Sequence, residues 1–202
     1  MSGSQALWRG RDPLILASRS AARRAMLEAA GIPVEIRPSD VDERAVPEAP
    51  AQTLAARLAE AKARDVAARH PGRLVVGADQ TLALGHALLH KPADRAEAIR
   101  QLLAMAGREH VLASAAALVR DGALLGSASG AARIRIRPLD EAMASLYLDA
   151  AGPDVLQSVG LYHVEGLGAH LFEALDGDPY TIMGLPLVPL MAHLRACGAV
   201  AA

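Results

Sequence analysis

Cysteine and aromatic residues are nearly absent from this chain. Among its 202 residues Cys197 is the single cysteine, and aromatic residues make up 2% of the composition. One cysteine cannot form an internal disulfide or a cysteine-based zinc site, which is typical of a protein in a reducing compartment. So few rings cannot supply the stacking surface that RNA and single-stranded DNA use. We therefore expect a cytoplasmic protein whose core consists of alanine, leucine and valine.

An excess of charge of one sign is also missing. Lysine and arginine number 21, and aspartate and glutamate number 22, for a formal net charge of −1. This balance gives no field that would hold a nucleic acid polymer or an anionic membrane. Residues Met1 to Arg11 contain no apolar core of a signal peptide, and no run is long enough to span a bilayer. We expect neither partner, and the lack of a linker-like stretch predicts one domain over residues 1–202.

The most informative segment reads as a strand, a loop and a helix near the start of the chain. The apolar run from Leu14 to Ala17 predicts a buried strand, and Ala21 to Ala30 predicts a helix. Ser18 and Ser20 then lie in the loop, and Arg23 lies in the first turn of the helix. Because a helix start presents unpaired N–H groups and positive potential, this junction is a candidate anion site.

A second helix is predicted over Ala51 to Arg69. Leu54, Leu58, Lys62 and Val66 repeat every four residues, so the lysine shares a helix face with three apolar side chains. Two interpretations of this lysine are open. Its ammonium group either reaches along the apolar stripe to water or binds a ligand within the fold.

Asp79 is the leading candidate for a catalytic carboxylate. Residues 74–79 predict a buried strand that ends on this aspartate, and in open α/β sheets ligands gather at the carboxyl ends of strands. The alternative is an aspartate that caps a turn.

Lys91 follows a predicted hairpin over residues 81–89 that turns at Gly85 and His86. A helix is predicted next, from about Ala93 to Met105, so Lys91 would lie at its positive end. The helix dipole disfavours a cation there, and a ligand phosphate would explain the lysine. A solvated lysine is the alternative.

Further along, alternation and turn signals predict mainly structural elements. Arg133, Arg135 and Arg137 alternate with two isoleucines, and a solvated sheet face is favoured over a phosphate patch. The remaining predictions are a hairpin from Val111 to about Arg137 that turns at Asp121-Gly122, a helix from the cap Asp140 to about Leu148, an irregular segment over residues 152–168, a strand over residues 171–175 and a closing helix from Pro186 to Ala196.

These candidates suit polyphosphate chemistry with a divalent metal. A short strand over Val34 to Arg37 leads into an acidic loop that ends on Glu43, which adds a second carboxylate. Cleaving a phosphoanhydride requires cations beside the phosphate oxygens, carboxylates that hold Mg²⁺ or Mn²⁺, and a base that orients water. No Walker glycine-lysine loop is present, which argues against a P-loop NTPase.

Several short motifs give the chain a resemblance to the Maf family of nucleoside triphosphate pyrophosphatases. The resemblance runs from about Pro13 to Leu194. It implies a three-layer α/β fold, a mixed sheet flanked by helices with a central cleft between two lobes, in a homodimer. It also implies metal-dependent hydrolysis of a nucleoside triphosphate to the monophosphate and diphosphate. The motifs are Leu16-Ala17-Ser18-Arg19-Ser20, Ala61-Lys62-Ala63, Gly77-Ala78-Asp79, Lys91-Pro92 and Gly184-Leu185-Pro186-Leu187.

The resemblance also implies a role for each candidate residue. Asp79 matches the catalytic aspartate, and Glu43 matches a glutamate that helps to hold the Mg²⁺ or Mn²⁺ ion together with Asp79. The residues that match phosphate-binding positions are Ser18, Ser20, Arg23, Lys62 and Lys91.

Three positions that bear on the choice of base depart from known patterns. Ala22 replaces an arginine of the common family pattern, and Gln80 and Glu165 replace a threonine and a glutamine of the branch that acts on dTTP and UTP. Gln80 with Glu165 resembles the branch that acts on 7-methyl-GTP. A carboxylate can accept two hydrogen bonds from guanine, and its charge favours a methylated, cationic ring. The alternatives are a dTTP/UTP pyrophosphatase and a nucleotide-binding regulator of cell division with little turnover.

Overall fold

The computed structural model of this chain describes residues 7–47 and 49–201. Within these residues seven strands form one mixed sheet, in the order β2-β1-β3-β5-β6-β7 with β4 beside β3. The strands are β1 (Leu14–Leu16), β2 (Val34–Ile36), β3 (Val75–Leu84), β4 (Ala87–Leu89), β5 (Glu109–Arg120), β6 (Ala123–Ile136) and β7 (Phe172–Asp176).

Six α-helices cover the sheet within the part of the chain that the structure describes, and short 3₁₀ turns follow at Glu43–Ala45, Pro153–Gln157 and Leu167–His170. The helices are α1 (Ala21–Ala29), α2 (Ala51–Arg69), α3 (Arg95–Met105), α4 (Glu141–Ala151), α5 (Pro179–Ile182) and α6 (Leu187–Ala196). None of the helices in the described part of the chain is long and apolar enough to cross a membrane.

One edge of β3 changes partners part of the way along the strand. Strand β1 runs parallel to β3 and its last paired residue is Leu16, opposite Val76. Strand β4 runs antiparallel to β3, and their pairing begins at Leu82 of β3, opposite Leu89. Over the five residues between these two pairings, 77–81, no strand from residues 7–47 or 49–201 lies beside this edge of β3, whereas the other edge pairs with β5. We call this interval the β3 gap.

Helices lie on both faces of the sheet, which confirms the predicted three-layer α/β fold. Helix α2 covers one face and packs on Ile15, Val75 and Val119. Helices α1 and α6 cover the opposite face over β1 and the first half of β3. A second apolar cluster, with α3 and α4, continues on that face over the far ends of β3, β5 and β6.

Small residues let α2 approach the sheet closely. Ala55, Ala59, Ala63 and Ala67 recur every four residues and are all buried against it. At Gly77 a side chain is excluded, because a Cβ there would overlap the backbone of α2 at Ala59 and Ala63. This close crossing brings the next stripe of α2, which carries Lys62, over the β3 gap.

Local signals predicted most elements, and two predictions were wrong in a way that matters for the site. Strand β3 does not end at Asp79 but continues to Leu84, so the aspartate lies in the middle of a ten-residue strand. Helix α3 begins at Arg95 rather than near Ala93, and Asp94 caps it. The predicted strand alternation holds, since Arg133 and Arg135 are exposed and the isoleucines between and after them are buried.

Candidate active site

Asp79 lies in the β3 gap, on the face of the sheet that α2 covers. The residues two positions away on β3, Gly77 and Thr81, both contact α2, and the hydroxyl of Thr81 donates to the carbonyl oxygen of Ala51 at 2.8 Å. The carboxylate is therefore buried, at 7% exposure, although the strand edge beside it is open. The prediction that Asp79 lies at the carboxyl end of its own strand was wrong. The strand that ends beside it is the neighbouring β1, whose pairing with β3 stops at Val76.

Lys62 joins two carboxylates. Its Nζ lies 2.6 Å from Oδ1 of Asp79 and 2.7 Å from Oε1 of Glu43. The lysine is 8% exposed, so the interpretation in which its ammonium group reaches water is wrong. Because Asp79 is buried and Glu43 is more than half exposed, the lysine connects the interior of the site to its rim. We call Glu43, Lys62 and Asp79 the charged cluster.

The acidic loop reaches the site because it docks along α2 at two points. At the far end of α2, Arg69 donates to the carboxylate of Asp40 at 2.6 Å, and Asp65 accepts from the backbone N–H of Asp40 at 2.9 Å. Two helical turns back from Arg69, in the middle part of α2, Lys62 pairs with Glu43. Glu43 also begins a 3₁₀ turn, which Asp42 caps by accepting from the N–H of Arg44.

Burial and charge move the pKa values of the two carboxylates in opposite directions. Burial raises the pKa of Asp79 above its ordinary value, and the charges of Lys62 and Arg23 oppose that rise without cancelling it. Burial also acts to raise the pKa of Glu43, but the hydrogen bond and charge of Lys62, with Lys91 and Arg23, outweigh it and lower that pKa. The site thus makes Asp79 a stronger base, and Glu43 a weaker one, than the same side chain in water.

Arg23 extends from α1 across the β3 gap. Its Nη1 donates to the carbonyl oxygen of Ala78 at 2.9 Å and to Oγ of Ser18 at 3.1 Å. Its Nε donates to the carbonyl oxygen of Gly184 at 2.8 Å. Burial lowers the pKa of Arg23, against the charges of Asp79 and Glu43, and the group stays cationic. The third guanidinium nitrogen of Arg23, Nη2, has no hydrogen bond to any of the described residues.

The two predicted serines form the start of α1. Ser20 is the N-cap and its Oγ accepts from the N–H of Arg23, while Oγ of Ser18 accepts from the N–H of Ser20. The serine oxygens thus satisfy two N–H groups of this junction. The first two N–H groups of the helix, at Ala21 and Ala22, have no partner among the described residues and remain for a ligand.

Lys91 is exposed and lies in the loop that follows β4. The prediction that it stands at a helix start was wrong, because α3 begins four residues later. There Asp94 caps the helix and accepts from the N–H of Glu97, and Glu97 accepts from the N–H of Ala93. The charge of Lys91 nevertheless acts on Glu43 and lowers its pKa, so the lysine lies on the rim of the same site.

Gln80 lies on the opposite face of β3 from Asp79. Its Nε2 lies within hydrogen-bond distance of three oxygens: Oγ of Ser114 at 3.0 Å and the carbonyl oxygens of Thr181 at 3.1 Å and Ile182 at 2.9 Å. Oγ of Ser114 in turn donates to the carbonyl oxygen of Thr181 at 2.8 Å. We call Gln80, Ser114 and Thr181 the polar strip. It crosses from β3 to β5 beneath α5.

The structure does not bring Glu165 into contact with the groups described above. It lies in an exposed turn, and its carboxylate has no hydrogen bond or ion pair within residues 7–47 and 49–201. Ala22 lies in the first turn of α1, next to Arg23. Sequence reasoning missed Ser114. The available signal was a lone polar residue in the apolar run Ala113 to Ala117.

The charged cluster fits one type of metal site. Mg²⁺ commonly binds through one or two carboxylates together with substrate phosphates, rather than in a cage built wholly from protein. Asp79 and Glu43 supply two carboxylates on either side of the Lys62 ammonium group, and the described residues contain no group of three or more histidine, cysteine, aspartate or glutamate residues that could hold a metal ion. The donor set therefore suits a hard cation that a ligand would help to coordinate.

Comparison with known proteins identifies the family. The Maf-like protein family matches residues 13–197 of this chain, so the chain belongs to the Maf family. A "nucleoside triphosphate pyrophosphatase" from Rhodopseudomonas palustris is 53% identical over 193 residues, which cover 94% of this chain and 96% of that protein. A "7-methyl-GTP pyrophosphatase" from Mesorhizobium japonicum is 51% identical over 196 residues, which cover 94% of this chain and 98% of that protein.

Among solved structures, a HAM1 protein from Coxiella burnetii aligns with 61% of this chain and 72% of that chain. The identity is 21% and the TM-score is 0.40, a likeness too low to support an inference about fold or function.

Proposed function

We propose that this protein hydrolyses a nucleoside triphosphate to the nucleoside monophosphate and diphosphate. The observation that carries the proposal is the buried carboxylate of Asp79, held 2.6 Å from the ammonium group of Lys62 in the β3 gap. A cation beside a buried carboxylate is what phosphoanhydride hydrolysis requires, because one group stabilises phosphate charge while the other accepts a proton. Membership of the Maf family and the names of the two relatives support the same reaction.

Asp79 is the proposed general base. It would accept a proton from the attacking water as the oxygen of that water bonds to phosphorus and the bond to diphosphate breaks. A raised pKa favours this role, because a base works best when its pKa approaches the working pH. Burial also keeps the carboxylate away from bulk water, which strengthens its interaction with a bound reactant.

Phosphate binding is assigned to cations and N–H groups around the β3 gap. Lys62 has three N–H donors and uses two of them on carboxylates, so one remains for a phosphate oxygen. Nη2 of Arg23 and the first N–H groups of α1 supply further donors, with Ser18 and Ser20 shaping that helix start. Lys91 adds a mobile cation at the rim.

A divalent cation, Mg²⁺ or Mn²⁺, would be held by Asp79 and Glu43 with the phosphates of the substrate. When bound, it would neutralise charge on the phosphate oxygens and favour deprotonation of water. The low pKa of Glu43 supports this assignment, because the ligand must be ionised at working pH.

We propose 7-methyl-GTP as the preferred substrate, with Glu165, Gln80 and Ala22 as the positions that select the base. Relatives named for 7-methyl-GTP match this chain at 51% and 47% identity. The carboxylate of Glu165 is exposed and has no partner among the described residues, so it is available to a cationic guanine.

The test is diphosphate release, with Mg²⁺ or Mn²⁺, from a panel of 7-methyl-GTP, GTP, dTTP, UTP, CTP and ITP. We expect metal-dependent turnover with the highest kcat/KM for 7-methyl-GTP. Preference for dTTP or UTP would overturn the choice of base and leave the reaction standing. Thermal stabilisation by a nucleotide without any product would overturn the reaction and favour a nucleotide-binding regulator.

A further inference from the structure

One end of the Gln80 side chain is surrounded by hydrogen-bond acceptors. The carbonyl oxygens of Thr181 and Ile182 can only accept, and both lie about 3 Å from the amide nitrogen. The hydroxyl of Ser114 could donate or accept, but its proton is directed to the carbonyl oxygen of Thr181 at 2.8 Å. Towards Gln80 it can therefore only accept.

These three acceptors determine which way the amide faces. If the side chain turned by 180°, Oε1 would face two carbonyl oxygens and a hydroxyl whose proton is already used, and no hydrogen bond would form. Each buried polar group left without a partner costs about 1–3 kcal/mol, so the turned form is strongly disfavoured. Ser114, which is 1% exposed, is the one group of the three that could have donated to Oε1 in the turned form, and its proton is already bound by the carbonyl oxygen of Thr181.

The opposite end of the amide faces the candidate active site. Oε1 has no hydrogen bond among the described residues, and it is not among the buried side-chain atoms without a partner, so it is accessible. It lies 3.5 Å from the point that a Cβ on Gly184 would take, and Nε and Nη2 of Arg23 lie at the same distance from that point. Arg23 spans the β3 gap, so the free acceptor of Gln80 lies at its edge.

We infer that Ser114 is a positioning residue that fixes Gln80 with its amide donors turned into the protein and Oε1 turned to the ligand. Gln80 then acts towards a base only as a hydrogen-bond acceptor, and it recognises an N–H group. This inference rests on the proposed function and deepens it. Guanine presents N1–H and an exocyclic amino group side by side, so a fixed acceptor here and the carboxylate of Glu165 recognise groups of the same kind.

The direct test is hydrogen exchange of the Gln80 side-chain amide in ¹⁵N-labelled protein without nucleotide. We expect the Gln80 NH₂ protons to exchange at least about tenfold more slowly than those of Gln52, which is exposed on α2. Ser114→Ala should reduce that protection, because one of the three acceptors is lost, whereas Ser127→Ala, on an exposed position of β6, should leave it unchanged. Equal exchange at Gln80 and Gln52 in the wild-type protein would overturn the inference, whatever the enzyme does.

The kinetic test separates base recognition from phosphate binding. Loss of one hydrogen bond is worth about a 3- to 10-fold change in binding. Ser114→Ala should raise KM for the preferred nucleoside triphosphate by about that factor, with kcat within about twofold and an unchanged Ki for inorganic triphosphate, which has no base. Ser114→Cys is the control for a folding defect, because a thiol fills the space of the hydroxyl but is a weak hydrogen-bond partner. It should raise KM as Ser114→Ala does. Equal effects on nucleotide and triphosphate, or no effect on either, would contradict the inference. Absence of turnover in the wild-type protein would instead count against the proposed function.

Discussion

Asp79 and Gln80 are neighbours in the chain, yet they lie on opposite faces of β3 in opposite kinds of surroundings. Asp79 belongs to the charged cluster, which extends from a buried carboxylate to a glutamate whose side chain is 59% exposed. Gln80 belongs to the polar strip, which consists of neutral groups between two apolar clusters and is closed over by α5. One strand thus carries two sites with different physical requirements.

The difference shows how reaction and recognition place different demands on side chains. In the charged cluster Lys62 has one donor left for an arriving phosphate, and because Glu43 is exposed, the ion pair between these two residues can open at small cost. In the polar strip an amide that exchanged partners would no longer distinguish one base from another. Its donors are therefore bound to acceptors that cannot move without moving α5.

The largest effect is expected for Asp79→Asn. The substitution keeps the shape and an acceptor for Lys62 but removes the base, and general base catalysis is worth about 10²- to 10⁴-fold. We expect diphosphate release to fall by about 10³-fold while far-UV circular dichroism and the melting temperature stay close to wild type. A variant with full activity would assign the base to another residue.

A second prediction compares removal of one group from each site. Lys62→Met leaves the buried Asp79 charge uncompensated, and breaking a buried pair costs about 3–5 kcal/mol. Because Glu43 is exposed, we expect the lower end of that range in urea unfolding. Gln80→Met leaves neutral carbonyl oxygens unpaired and should cost about 1–2 kcal/mol.

The matched control adds Asp79→Asn to the Lys62→Met protein. Removal of the uncompensated charge should recover part of the lost free energy of unfolding. If the double variant were no more stable than Lys62→Met, the coupling between these two side chains would be too weak to define the charged cluster.

Two glycines sharpen the comparison, because each lies where a helix approaches one face of the sheet. Gly77→Ala would press on the backbone of α2, and Gly130→Ala would press on the side chain of Thr181 in the polar strip. Overpacking of this kind costs about 1–3 kcal/mol. We expect Gly77→Ala to lower kcat, because Lys62 moves, and Gly130→Ala to raise KM for the nucleotide, because α5 moves. If both variants changed kcat and KM alike, the two faces of β3 would not have separate roles in reaction and recognition.

The smallest effect at neutral pH concerns His110, which lies on the same face of β5 as Ser114. Its Nε2 is 2.6 Å from the hydroxyl of Tyr162, and burial lowers its pKa from 6.5 to about 4. Between pH 6.5 and about pH 4, His110 binds a proton in the unfolded chain but not in the folded protein. The free energy of unfolding therefore falls as the pH drops below 6.5. The loss at pH 5 is about 2 kcal/mol, with none above pH 7.

Urea unfolding at pH 7 and pH 5 tests this expectation, with His110→Gln as the comparison. The variant should lose less stability than wild type on acidification, because its side chain does not titrate. Parallel losses in the two proteins would assign the acid sensitivity to carboxylates.

Sequence reasoning succeeded where the signal is local. Helix α2 was predicted with its observed ends, from the four-residue apolar repeat, and both hairpin turns were predicted. At Asp121 and Gly122 both φ angles are positive, as a two-residue turn of this kind requires. Helix α1 and its serines likewise follow from capping rules that involve residues within one turn of each other.

The errors arose where a partner far along the chain decides the outcome. Asp79 follows a typical end of a buried strand, yet β5 pairs with β3 for several residues beyond it. The partner of Lys62 is 17 residues away, and those of Gln80 are 34 and 101 residues away. Periodicity can predict which face a side chain lies on, but it cannot identify the group that meets it there.

The β3 gap also affects how the molecule behaves towards its own copies. An unpaired strand edge is a template for another strand, and long exposed edges promote aggregation. Here the open edge is five residues long, lies between two strands that already pair with β3, and has one of its carbonyl groups bound by Arg23. An incoming strand could form only a few hydrogen bonds before it met β1 or β4. The interval is therefore wide enough for a small ligand and too short to start a fibril.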